Sequence, residues 1–110
     1  MTPAARVQAA IEILDQIIVG AIREGAPADR LVAAYFKTRR YAGSKDRRAV
    51  RELVYSAIRV CGEIPASGRA AMLRLAEKDP ALKALFDGST HGPARIGDNE
   101  EAADAGIAPQ

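Results

Sequence analysis

Seven of the sixteen basic residues in this 110-residue chain, but only two of its fourteen acids, fall within RRYAGSKDRRAVRELVYSAIR, Arg39 to Arg59. At about 100° per helical residue, Arg48, Arg51, Tyr55 and Arg59 share an arc of about 80°. Arg47 lies at the edge of that stripe, with Arg39, Arg40 and Lys45 just upstream. Guanidiniums spaced in this way can meet successive phosphates by charge-assisted hydrogen bonds, while a ring among them stacks on an unpaired base. The plainer alternative is a solvated helix face on which Glu52 pairs with Arg48. In that reading Tyr55 rests its ring on the edge of the core and leaves its hydroxyl wet. A protein partner for the same face is the third possibility, because a basic cluster alone does not name its counterpart.

No other constellation suggests chemistry. Cys61 is the only cysteine, falls on the apolar side of its helix, and has no histidine near it in sequence, so it reads as a small core residue. His91, the only histidine, stands in STHGP without a companion at ligand spacing, so no metal site is expected. Gly43, Gly62 and Gly68 stand singly and form no phosphate-cradling loop, and no nucleophile is set beside a base. By itself the chain is expected to bind, without a cofactor, and not to catalyse.

The charge is unevenly distributed. From Lys37 to Arg59, eight basic residues stand against Asp46 and Glu52, a net of +6; from Asp87 to Gln110, Arg95 stands against five acids, a net of −4. A cationic middle of this kind is drawn to nucleic acid or another polyanion whatever fold lies beneath it. With 48% hydrophobic residues, 5% aromatic and no Trp, the composition fits one helical globular domain. No apolar run reaches membrane-spanning length and no signal-peptide pattern opens the chain, which leads to the expectation of a cytoplasmic monomer without membrane contact.

Five elements must position the basic stretch. Thr2 and Pro3 start a first helix, in which Val7, Ile11, Leu14, Ile18 and Ile22 recur at helical steps; Ile17 and Val19 widen its apolar arc, so it should be packed from more than one side. Gly25 closes it, and Ala26-Pro27 opens a second helix running to about Arg40, with Leu31, Val32, Ala34, Tyr35 and Phe36 buried. A third helix, capped by Ser44 and closed by Gly62, turns Val50, Leu53, Val54, Ala57, Ile58 and Cys61 to one side. A fourth follows over about Arg69 to Lys78 with Met72, Leu73, Leu75 and Ala76 buried. Asp79-Pro80 caps a short fifth carrying Leu82, Leu85 and Phe86. The Gly-containing acidic residues 87–110 read as a flexible linker, with one helical turn near 99–104.

The stretches TPAARVQAAIEILDQII and YFKTRRYAGSKDRRAVRELVYSAIR, above all GSKDRR followed by ELVYSAIR, resemble the N-terminal domain of the RsmB/NOP family of ribosomal RNA 5-methylcytosine methyltransferases. The resemblance covers residues 2–64 well and the rest loosely. It implies an all-α, NusB-like compact bundle of five to six helices over residues 1–86 that binds RNA through a basic helical face. It also implies that S-adenosylmethionine and the catalytic cysteines belong to a separate Rossmann-like domain, the intramolecular partner of this one, so that Cys61 is not one of them. On this reading Arg39, Arg40, Lys45, Arg47, Arg48, Arg51, Tyr55 and Arg59 contact RNA. The alternative is a protein-docking or NusB-type antitermination module with no methyltransferase link, from which the acidic, Gly-rich tail departs.

Overall fold

The computed structural model describes residues 1–23, 28–62, 64–98 and 100, without the side chains of 21–23. Among them are five helices and no strand: α1 (Pro3–Arg23), α2 (Ala28–Lys37), α3 (Ser44–Cys61), α4 (Gly68–Ala76) and α5 (Pro80–Lys83). The expected all-α bundle is therefore what forms. Gly25 and Ala26-Pro27, as the end of one helix and the start of the next, lie outside the described residues, as does the turn expected over 99–104 apart from Glu100.

Helix α1 is the axis of the bundle. It packs against α2, α3 and α4; α3 also packs on α4, and α4 on α5. This explains why its N-terminal part is buried almost all round, with Ala4, Val7, Ala10, Ile11, Ile13 and Leu14 in the core. Ile13, outside the expected stripe, is fully buried because three neighbours surround the helix. Thr2 caps α1 as expected, its Oγ1 accepting from the Ala5 amide at 3.0 Å. Asp79 does the same for α5 through the Ala81 and Leu82 amides. Gly62 ends α3 in the left-handed conformation at φ 71°.

Other expectations are corrected. Helix α2 stops at Lys37, three residues short of Arg40, and the chain leaves in tight turns held by Arg39 N to Phe36 O and Ala42 N to Arg39 O. Gly43, not Ser44, occupies the cap of α3. The capping function passes to Asp46, whose Oδ2 accepts from the Gly43 amide at 3.1 Å and whose Oδ1 accepts from Arg6 Nε of α1 at 2.8 Å. With the Met1 amine 3.4 Å away, these donors hold the Asp46 carboxyl below its usual range, Arg6 foremost. Val50, Val54 and Ala57 are in the core as expected, but Ile18 and Leu53 are half-buried and Ile58 is 39% exposed. Ile58 lies on an apolar cleft of about 300 Å³ shared with Ile17, Ile18, Ile64 and Pro65, which none of the described helices fills. On α2, Leu31 is half-buried and Ala34 exposed, so Val32, Tyr35 and Phe36 carry its packing.

The linker expectation also gives way for residues 87–98, which fold back on the bundle. Gly88 donates to the Pro93 carbonyl at 3.0 Å, Pro93 is fully buried, and Ile96 packs against the core. Arg69 of α4 fixes this return: Nη2 donates to the Ala94 and Arg95 carbonyls at 3.0 and 3.1 Å and to Glu100 Oε1 at 2.9 Å, with Nε bonded to Oε2. The Arg69 guanidinium holds the Glu100 carboxyl down to about 2. Contacts with the bundle, polar at Arg69 and apolar at Pro93 and Ile96, outweigh the linker-like composition of this segment.

Helices α1 and α4 approach each other closely at Gly68. A Cβ there would lie 2.2 Å from the Ile11 carbonyl oxygen and 2.9 Å from Asp15 Oδ1. The same Asp15 Oδ1 accepts from the Gly68 amide at 2.7 Å, and Ser67 Oγ accepts from the Ala70 amide at 3.0 Å, so the start of α4 is capped by its own serine and by α1. Gly68→Ala is expected to lower the unfolding free energy by about 1–3 kcal/mol, since backbone must move to admit the methyl group; urea unfolding followed by circular dichroism measures it. Because the folded pKa of Glu100 lies below its unfolded value of 4.5, its contribution to stability is complete above about pH 4.5 and is lost as pH falls toward 2. Urea midpoints across that range should fall less steeply for Glu100→Gln than for the parent.

Candidate nucleic-acid interface

Helices α2 and α3 both rest on α1 and are not among the closely packed pairs. A groove of about 910 Å³ is left between them. Val32, Ala33, Ala34 and Phe36 contribute apolar lining, and the walls carry Arg30 and Lys37 from α2 and Arg47, Arg48 and Arg51 from α3. Asp29 and Glu52 also line it, so five cations face two carboxylates, a net of +3.

The two walls are tied at one place. Asp29 Oδ1, on α2, accepts from Arg51 Nη2 at 3.3 Å and from the Tyr55 hydroxyl of α3. The Arg51 guanidinium stands 5.7 Å from the centre of the Tyr55 ring. The bond to Asp29 raises the Tyr55 hydroxyl pKa, with burial adding to it. Arg51 and Asp29 are 57% and 67% exposed, and an ion pair that open to water contributes at most about 1 kcal/mol.

Of the eight expected contact residues, Arg47, Arg48 and Arg51 line the groove, and Tyr55, half-buried, braces it through its hydroxyl. Arg40 and Lys45 are exposed on the turn between α2 and α3 and at the start of α3. Arg59 lies two turns beyond Arg51, exposed, with Nη2 3.2 Å from Ser56 Oγ. Arg39 is brought elsewhere: its guanidinium sits 3.7 Å over the Tyr35 ring, and Nη1 donates to the Tyr35 carbonyl at 2.9 Å, in a second cleft beside α1. The pair expected between Glu52 and Arg48 is not among the ion pairs of the described residues.

Arg30 and Lys37 were not singled out by sequence spacing. They stand seven residues apart, two turns on one face of α2 with exposed Ala33 and Ala34 between them. That pattern of small residues flanked by cations was a legible sign of an open wall. Elsewhere, Cys61 is buried at the end of α3, and burial pushes its thiol pKa up, away from the reactive thiolate. Among the described residues no group of three His, Cys, Asp or Glu is arranged to hold a metal ion, and no helix is long and apolar enough to cross a membrane. Compared with known proteins, the chain matches no family model, no curated protein and no solved structure.

Asp29→Ala is expected to bring the Tyr55 hydroxyl back toward the ordinary tyrosine value, near 10, which ultraviolet titration of tyrosinate reads against a Tyr55→Phe control. The unfolding free energy should change by less than about 1 kcal/mol.

Proposed function

We propose that the groove between α2 and α3 holds the phosphate backbone of RNA, and that the chain serves as the RNA-binding accessory domain of an S-adenosylmethionine-dependent ribosomal RNA cytosine-C5 methyltransferase. One observation carries the RNA reading. Arg30, Lys37, Arg47 and Arg48 stand on two facing walls and form no ion pair with a described residue, so their charge is available to a ligand. A groove that is cationic on both sides follows a phosphate chain better than a flat basic patch does, because each phosphate meets charge from two directions. No described Asn or Gln lines it, so binding should depend little on base sequence. The methyltransferase part rests on the resemblance of GSKDRR and ELVYSAIR alone; it assigns the chemical step and its cofactor to a catalytic domain that this one supplies with RNA.

A second reading, docking onto a protein surface such as that catalytic domain, is favoured by the apolar cleft where Ile58 is 39% and Ile64 60% exposed. Salt separates the two, because apolar docking depends on it little and phosphate contacts depend on it steeply.

The experiment is titration of a fluorescently labelled single-stranded ribosomal RNA fragment at several salt concentrations. Four phosphate contacts predict a slope of log affinity on log salt of about −3. Arg47→Glu combined with Arg48→Glu should weaken binding to any such RNA and reduce the slope by about one to two units. The helical circular dichroism should be unchanged, since both side chains are exposed. Binding that ignores salt, or a folded double variant that binds like the parent, would overturn the proposal.

A further inference from the structure

Beside α1, on the side of α2 to which Arg39 turns, lies a cleft of about 700 Å³ with a partly apolar floor at Ala5 and Ala9, whose polar and aromatic lining includes Gln8, Glu12, Tyr35, Arg39, Tyr41 and His91. It shares Gln8, Glu12 and His91 with an adjoining hollow of about 640 Å³ under residues 90–94. Its parts are held in place by one another. Tyr35 donates its hydroxyl to Glu12 Oε1 at 2.6 Å, and Gln8 Nε2 donates to Glu12 Oε2 at 3.1 Å. The Arg39 guanidinium is held over the buried Tyr35 ring, 3.7 Å from its centre, with Nη1 bonded to the Tyr35 carbonyl, and it makes no ion pair with a described residue. Tyr41 is 74% exposed, so most of its ring is open to water.

We infer that this cleft receives an unpaired nucleobase of the RNA strand whose phosphates lie in the groove between α2 and α3. The inference rests on the RNA reading of that groove. A base is a flat ring with polar edges, and the cleft offers it flat partners and a polar one: the Tyr41 ring and the Arg39 plane to stack on, and Glu12 to accept an N–H from its edge. Each Glu12 oxygen has accepted one hydrogen bond and retains capacity for another. The same carboxylate repels phosphate, so the cleft suits a base and not the backbone. Arg40 and Lys45 are exposed and stand in the chain between Arg39 and Tyr41 of the cleft and Arg47 of the groove, where they can meet intervening phosphates. A duplex cannot satisfy both places, since its bases are stacked and paired within it.

The test compares two labelled probes on the whole chain: a single-stranded oligocytidylate about ten nucleotides long and an abasic ribose-phosphate oligomer of the same length. The parent should bind the oligocytidylate about tenfold more tightly than the abasic probe, the effect of one stacked base. Tyr41→Ala should bring that ratio toward one and leave abasic affinity as it was; Tyr41→Phe, which keeps the ring, should preserve the ratio. Arg47→Glu with Arg48→Glu should weaken both probes by the same factor. Equal binding of the two probes by the parent, or a Tyr41→Ala variant that weakens both alike, would overturn the base cleft and leave the groove reading standing. Binding of neither probe by the parent would remove the groove reading as well.

Discussion

Helix α4 can lie where it does only because position 68 carries no side chain. The Gly68 Cα approaches the α1 backbone so closely that a Cβ would fall 2.2 Å from the Ile11 carbonyl oxygen, well inside van der Waals contact. At this crossing Asp15 of α1 also satisfies the Gly68 amide, so steric fit and hydrogen bonding select one relative position of the two helices. Ala70, Ala71 and Met72 then enter the core, and α3, which packs on both α1 and α4, takes its place against them. The small residues of α1, Ala4, Ala5, Ala9 and Ala10, belong to the same arrangement, because close packing around a central helix leaves little room for large side chains.

Helix α2 stands outside that tight set. It rests on α1 through Val32, Tyr35 and Phe36 and reaches α3 chiefly through the exposed bonds of Asp29. The open groove follows from this imbalance: α1 fixes both walls, but nothing large fills the space between them. Charge then collects there for a simple reason. Ala33 and Ala34 are too small to cover the furrow, and long cationic side chains on either side keep their heads in water while their stems shield the apolar floor.

Much of the fold was legible in the sequence where local rules and tertiary packing agree. Thr2 before Pro3, Asp79 before Pro80 and Gly62 after Cys61 mark real helix ends, and Val50, Val54 and Ala57 lie in the core on the spacing that proposed them. Local rules failed where a distant partner decides. Ser44 is a good cap by type, yet Arg6, forty positions away, draws Asp46 into that role. Ile58 continues an apolar stripe into a region where none of the described helices covers it. Residues 87–98 have linker composition, but Arg69 and a buried Pro93 fold them down. The candidate site was legible only in part. The period of α3 places Arg47, Arg48 and Arg51 together, whereas Arg30 and Lys37 join them through the packing angle of α2. Arg39 leaves them because the Tyr35 face captures its guanidinium. No spacing rule contains those two facts.

The burial of Cys61 makes the chain its own reporter. As the only thiol, at the end of α3 and packed into the cluster that joins α1, α3 and α4, it is largely shielded from reagents in solution while the bundle is closed. Modification must therefore wait for a fluctuation that parts those helices, and its rate counts such openings in the way that exchange of a core amide does. When reclosing is fast compared with the chemistry, the rate gives the free energy of opening; when the chemistry outpaces reclosing, it gives the opening rate itself. Stability of this domain can thus be followed at one natural atom, without a label and in the presence of a bound ligand.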